Sequence, residues 1–482
     1  MKIYFYFYVL LPSFLLLNTD GTLIFLYTHF RHGARGPKKL NDSYIDIVGE
    51  KWTSLGELTG VGERMHYLLG LRNRKKYIEQ EGFLSQKFDP HQMLIFTTGK
   101  NRTMISCYSQ LQGLYPQRAN LGEELTPQQE ANAYPPILDE LEEKDPDIEQ
   151  AIKELNGSAL PYRMMLAPAR MVNDKEVKMS IHNIGECEKK TDDLKKANEK
   201  IKELKEEVAK FNKAYGEKFN NYFKKEKPEF SLKEIRNTCN DFLADYTEDR
   251  ELKEFKEKTG IDFKVLKTDC LNFIKTYYYY SYYGDEERLL AKIECSKMMR
   301  EFLVYMKRRL DADMTEIDED SNYKNYSIPR WILTSGHDST VSANLVLLIK
   351  ALGLDMATKF QVPKYASQLA LEVRRNSEKG QSYSDYYIVG YFDNNELFNM
   401  KVDEFINKME KEIWTDQQVD EYCGFYNDDK TNNLYKTLMI VFICLCAAFL
   451  VSTIVLGVLL YKSKHSDSNT LNQKFDIGTD SV

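Results

Sequence analysis

Three short apolar runs in this chain each end in a polar turn containing glycine. Leu23–Tyr27 leads into Thr28-His29-Phe30-Arg31-His32-Gly33-Ala34-Arg35-Gly36-Pro37. Met93–Phe96 leads into Thr97-Thr98-Gly99-Lys100-Asn101-Arg102-Thr103, and Trp331–Leu333 into Thr334-Ser335-Gly336-His337-Asp338-Ser339-Thr340. Uninterrupted apolar runs of this length predict strands buried on both faces. Helical patterns follow at Glu63–Tyr77 (after a glycine-punctuated loop, Trp52–Gly62), at about Met104–Leu114, and at Val341–Leu352. Two more strands, Gln368–Arg374 and Tyr386–Phe392, close the pattern.

The middle of the chain has a different rhythm. From about residue 120 the composition shifts, and residues 186 to 260 are dense in Lys and Glu. Leu194, Ala197, Ile201, Leu204, Val208, Phe211 and Tyr215 alternate spacings of three and four, the seam of an amphipathic helix. It reads as a helix packed inside a helical subdomain; a coiled coil between two copies, and so a homodimer, is the other reading. Asp262–Leu310 continues as mostly helix, with Tyr277–Tyr280, Tyr282 and Tyr283 as packing residues; a substrate-facing aromatic wall is the other reading. Asp311–Asn325 reads as a return loop.

The two ends are apolar for different reasons. Met1-Lys2, then Ile3–Leu17, then Asn18-Thr19-Asp20 fit a cleaved secretory signal peptide. Leu438–Leu460 contains no charged residue and is long enough to span a bilayer as a helix. Lys462, Lys464 and His465 behind it favour the cytosolic side. The expectation is a type I membrane protein, with the ectodomain outside the cell or in a lumen. Its parts would be a signal peptide (1–20), a discontinuous α/β domain (21–118 and 311–425), a helical cap (119–310), a polar stalk (426–437), the membrane helix (438–460) and a disordered cytosolic tail (461–482).

Composition narrows this further. A chain of 482 residues suits two domains, and a net charge of −7 argues against nucleic acid as a partner. Of eight cysteines, Cys444 and Cys446 fall in the span, leaving Cys107, Cys187, Cys239, Cys270, Cys295 and Cys423 where disulfides persist. No Cys/His spacing predicts a zinc site, and no metal or cofactor is expected. Asn41, Asn156 and Asn325 lie in glycosylation sequons; Asn101 also qualifies formally but is expected in a pocket.

Ligands of open α/β sheets bind beyond the carboxyl ends of the strands. If the three strand ends are adjacent and parallel, Arg31, His32, Arg35, Arg102, His337 and Asp338 converge. Three guanidiniums can neutralise a phosphate dianion, a neutral imidazole can attack phosphorus, and a carboxylic acid can protonate the leaving alkoxide. His32 suits the nucleophile, because flanking arginines favour its neutral form. His337 could bond a phosphate oxygen. A model Asp titrates near ~3.9, so activity should favour acidic pH unless burial raises that value. His29, His66, His91 and His182 lack such company and read as structural, with His29 and His66 able to support the pocket.

These residues resemble the histidine acid phosphatases, in the prostatic and lysosomal branch. Arg31–Pro37 matches the signature Arg-His-Gly-x-Arg-x-Pro, and His337-Asp338 the distal His-Asp pair; Gly56–Gly62 and Thr98–Pro116 also match. The resemblance covers residues 23–120 and 328–395. It implies a three-layer α/β/α domain with a central, largely parallel sheet and a smaller, mostly helical cap. It also implies hydrolysis of phosphate monoesters through a phosphohistidine at His32, with Asp338 as proton donor and Arg31, Arg35, Arg102 and His337 on the phosphate. It pairs Cys187 with Cys423. The usual partner position of Cys239 holds Gln368, which leaves Cys270 or Cys295 for Cys239 and makes Cys107 a buried thiol. The Lys/Glu-rich cap differs from typical members, so the substrate does not carry over. Inositol polyphosphates and lysophospholipids stay open, as does a non-catalytic binding or adhesion role.

Overall fold

The computed structural model describes residues 21–38, 52, 54–119, 122–133, 135, 146–171, 187, 201–223, 229–250, 253–283, 289–315, 328–376, 380–423 and 429–472. The expected signal peptide, Asn41, Asn325 and His182 lie outside them, as do Leu194 and Ala197 of the seam. The chain divides into Met1–Asp416 and Gln417–Val482.

Seven strands among the described residues form one mixed sheet. They are β1 (Thr22–Arg31), β2 (Met93–Thr97), β3 (Arg170–Met171), β4 (Trp331–Gly336), β5 (Gln368–Arg375), β6 (Tyr386–Phe392) and β7 (Asn395–Lys401), in the order β3-β2-β4-β1-β5-β6-β7. The first four in that order run parallel, and β5, β6 and β7 continue antiparallel. Alternation of side chains splits β1 between two cores. Leu26 and Phe30 pack on one face with Ile95, Leu111, Leu114 and Trp331. Phe25 and Tyr27 pack on the other with Met298, Phe302, Leu345 and Phe405. Helices therefore cover both faces.

Helices Gly60–Asn73 and Asn101–Leu114 cross on the first face at Gly70 and Gly113. A Cβ on either glycine would strike the other helix's backbone, so only glycine lets the axes come this close. On the second face lie Leu289–Thr315, Asp338–Ala351 and Val402–Glu412. Tyr27 Oη bonds Met298 Sδ at 3.0 Å, and its ring lies 5.2 Å from that of Phe302.

Several local expectations change. The helix Leu289–Thr315 continues past the return expected at Asp311, because Leu310 is buried and Asp313 is tied to Arg375 and Tyr386 at 2.6 and 2.7 Å. β7 had no counterpart in the sequence reading; Asp393, with φ at 53°, turns the chain back from β6 and buries Leu397 and Phe398. In the described part of the seam, Leu204, Phe211 and Tyr215 are buried within the helical segment beside Leu232–Thr247 and Phe263–Tyr283. This is the packing reading rather than the two-chain one. Tyr277, Tyr278 and Tyr282 are buried there too.

Cys239 pairs with Cys270, while Cys107 and Cys295 are buried thiols. Cys187 and Cys423 are both disulfide-bonded. In the second unit a single helix, Asp429–Asn472, takes in residues expected as stalk and as disordered tail. Its stretch Lys436–Lys462, with mean hydropathy 2.9, is long and apolar enough to cross a membrane.

Candidate active site

The sheet register sets three strand ends level. Arg31 at the end of β1 is opposite Gly336 at the end of β4, and Thr97 at the end of β2 is opposite Ser335. His32 and Arg35 follow β1 directly. His337 and Asp338 open the helix Asp338–Ala351, and Arg102 is the second residue of Asn101–Leu114. The backbone locks the loop after β1: His32 N–H donates to Gly336 O at 3.0 Å, Gly33 N–H to Ser106 Oγ at 3.0 Å, and Gly36 N–H to Glu57 O at 3.0 Å. Gly33 lies directly on Gly62 of the next helix, where a Cβ would overlap the backbone.

His32 is 1% exposed. Its Nδ1 lies 2.8 Å from Gly33 O. A carbonyl oxygen can only accept, so Nδ1 carries the proton and Nε2 the lone pair. Burial, then Arg31, Arg35 and His337, hold the ring well below the usual imidazole range, opposed only by Asp338. The ring is therefore neutral, with a nucleophilic nitrogen. The rings of His337 and Tyr365 lie 5.6 and 6.0 Å away. His337 Nε2 is 3.2 Å from Thr98 Oγ1, and its backbone N–H donates to Thr340 Oγ1 at 3.0 Å.

Asp338 sits 3.3 Å from Arg31 Nη2 and accepts from Ser339 N–H at 3.0 Å. Burial pushes its carboxyl up, but Arg31, Lys38, His32 and Arg35 together outweigh burial and hold it well below the usual carboxylate range. Burial therefore does not raise Asp338 above the carboxylate range, because the cations around it prevail. Arg31 also donates to Pro363 O at 2.7 Å and stacks on Tyr365 at 4.3 Å. Arg35 is buried, with Nη1 bonded to Gly36 O at 2.7 Å, and Arg102 Nη1 reaches Gly56 O at 3.4 Å. The Nε atoms of Arg31, Arg35 and Arg102 are all buried without a hydrogen-bond partner. Buried donors without partners are costly, and an anion with several acceptor oxygens would satisfy them.

All six side chains expected at the strand ends therefore meet. Four others face them. Lys38, which follows the Arg31–Pro37 turn, is exposed as a residue. Loss of hydration at its amine, with Arg35, Arg102 and Arg31 nearby, brings it down to about 8 against the opposing effect of Asp338. Asp241, on the helix Leu232–Thr247, is 6% exposed, and burial pushes its carboxyl up to about 7 although Arg35 and Lys38 pull it down. Tyr278 is buried in the field of Asp338 and Arg31. Tyr365 lies in an irregular segment before β5. Tyr278 comes from the tyrosine cluster, whose other reading is a substrate-facing wall; Asp241 gave no signal because it belongs to a helix whose polar residues look solvated. Asn101 is exposed beside Glu57 rather than enclosed, because the inward turn of its helix begins at Arg102 and Thr103.

His29 is buried against Asn344 and Thr340, and burial lowers it to about 3. His66 packs on Phe30, and burial lowers it to about 4. His91 is an exposed turn residue. Among the described residues, no group of three or more His, Cys, Asp or Glu could hold a metal ion.

The description "Histidine phosphatase superfamily (branch 2)" matches residues 22–389. A putative acid phosphatase of Caenorhabditis elegans is 36% identical over 98 residues, 20% of this chain and 22% of that protein. Lysosomal acid phosphatase of Xenopus laevis is 34% identical over 110 residues, 22% of this chain and 24% of that protein. Testicular acid phosphatase of Homo sapiens is 34% identical over 103 residues, 21% and 24%. The aligned stretch thus spans less than a quarter of each of these curated relatives. Among solved structures, the apo form of Hafnia alvei phytase superposes with a TM-score of 0.51, covering 84% of this chain and 98% of that one. At 11% identity that likeness concerns the fold alone.

Proposed function

Because the chain belongs to the histidine phosphatase superfamily (branch 2), we propose that it is an acid phosphatase hydrolysing phosphate monoesters through a phosphohistidine at His32. The observation that carries the reading is the neutral imidazole of His32, with Nδ1 protonated, held among three arginines whose Nε donors lack partners. Arg31, Arg35, Arg102 and His337 bind the phosphate oxygens. Nε2 of His32 attacks phosphorus and the ester P–O bond breaks. Asp338 gives its proton to the departing oxygen, releasing the alcohol. Water then attacks the phosphohistidine, returns a proton to Asp338 and leaves inorganic phosphate.

Asp338 must enter this cycle protonated, yet Arg31, Lys38 and Arg35 favour its ionised form. An incoming phosphate offsets the charge of Arg31, Arg35 and Lys38, which removes the force that keeps the proton off. Substrate binding therefore loads the acid, and loading is easier at low pH. This predicts a kcat/KM that falls as pH rises from acid toward neutral.

We place the phosphate site in a lumenal or extracellular ectodomain held by the helix Lys436–Lys462, with the basic residues behind it in the cytosol. The helices Leu232–Thr247 and Phe263–Tyr283, which bring Asp241 and Tyr278 to the site, act as the cap over the strand ends.

Turnover by His32→Ala tests the reading: activity should vanish with the fold intact, and wild-type turnover would refute it. Asp338→Asn should slow the poorest leaving groups most; equal slowing across all leaving groups would remove Asp338 from the role of acid.

A further inference from the structure

A cavity of about 440 Å³ opens beside the phosphate site and shares Arg31 and Tyr365 with it. The Tyr365 ring faces both His32 and the guanidinium of Arg31, and Arg31 in turn holds Asp338. Through Arg31 the cavity adjoins Asp338, the residue assigned to the leaving oxygen. Its lining is aliphatic and aromatic over more than half of its residues, with Leu243, Leu271 and Ile274 supplied by the helical segment. No carboxylate lines it, and its two lysines, Lys267 and Lys364, make no ion pair among the described residues. Lys267 rests over the Tyr246 ring at 4.5 Å.

We propose that this cavity receives the alcohol portion of the substrate and selects phosphate monoesters of an apolar alcohol that ends in an anionic group. The inference rests on the phosphatase reading above. An aliphatic chain leaves water against Leu243, Leu271 and Ile274, while the distal anion reaches Lys267 and Lys364. A polyphosphorylated ring would instead press its remaining phosphates against aliphatic side chains, losing their hydration without enough cations in return.

The test uses the full chain in detergent and compares kcat/KM for ethyl, butyl and hexyl phosphate, glycerol 1-phosphate, 6-phosphooxyhexanoate and inositol hexakisphosphate. All but the inositol ester are esters of primary alcohols with similar leaving tendencies, so differences among them report the cavity. Each buried methylene should raise kcat/KM roughly fourfold, the equivalent of about 0.8 kcal/mol. The terminal carboxylate should add a further gain, lost in Lys267→Ala/Lys364→Ala, and Leu271→Gln should flatten the chain-length series. A flat wild-type series, or faster hydrolysis of inositol hexakisphosphate than of hexyl phosphate, overturns the cavity's role while turnover of glycerol 1-phosphate leaves the phosphatase reading standing. Hydrolysis of no ester overturns both. The wild-type series decides even if a variant does not fold.

Discussion

Two charged clusters are built on neighbouring strands of one sheet, and they handle charge in opposite ways. Behind β5, Glu372 is 0% exposed, and both of its oxygens are taken. Oε1 accepts from Lys76 and from Tyr77 Oη at 2.8 Å, and Oε2 from Arg374 at 2.6 and 3.1 Å. Arg374 also reaches Glu81 at 2.8 Å. Two carboxylates thus meet two cations, and nothing is left over to attract a ligand. At the strand ends, Arg31, Arg35, Arg102 and Lys38 gather around Asp338, which among the described residues pairs directly with Arg31. Burial alone does not distinguish a site from a strut; cations left short of partners do.

Exchanging the two clusters' effects is the strongest way to break this contrast. Arg35→Ala should lower kcat/KM by about 100- to 1,000-fold, the usual loss when one donor to a developing anion is removed. Its melting temperature should hold or rise, since a crowded cation has gone. Glu372→Leu should do the reverse. It strands Lys76 and Arg374 and should cost about 3–5 kcal/mol of stability in urea melts, with kcat/KM per folded molecule unchanged. If Arg35→Ala lost as much stability as Glu372→Leu, the pocket would be a structural charge cluster like the other.

A smaller effect comes from pH. Lys76 and Arg374 overcome burial and hold the Glu372 carboxyl below its ordinary value. Its contribution to stability is complete above the unfolded value of ~4.3 and is lost as pH falls through the lower folded value. Asp241 has the opposite sign. Its folded value near 7 lies above the unfolded one, so its contribution is complete below ~3.9 and is lost as pH rises through about 7. Asp241→Asn should therefore flatten the fall in melting temperature between mildly acidic and neutral pH. An unchanged slope would mean that Asp241 does not titrate in that window.

How much of this was legible beforehand follows from the physics of each part. Apolar runs report burial, so the cores of β1, β2 and β4 and their polar ends could be read directly. Arg31, His32, Arg35, Arg102, His337 and Asp338 were found because each follows such a run within a few residues. β7 was not, since Asn395–Lys401 buries only Leu397 and Phe398 and otherwise looks like a surface loop. Nor could Asp241 and Tyr365 be found, because tertiary packing alone brings them to the pocket from segments with no local signature. The Glu372–Arg374 pair looked like ordinary strand polarity, and only the partners Lys76 and Tyr77, far away in sequence, make it a buried network.

The most direct test of the central claim is a rapid-quench experiment with a phosphate ester radiolabelled at phosphorus, worked up under alkaline conditions that preserve phosphohistidine. The account predicts that label accumulates on the wild-type chain, maps to His32, turns over with the rate of product release, and is absent from His32→Ala. Label on any other residue, or labelling of His32→Ala at the wild-type level, would contradict it.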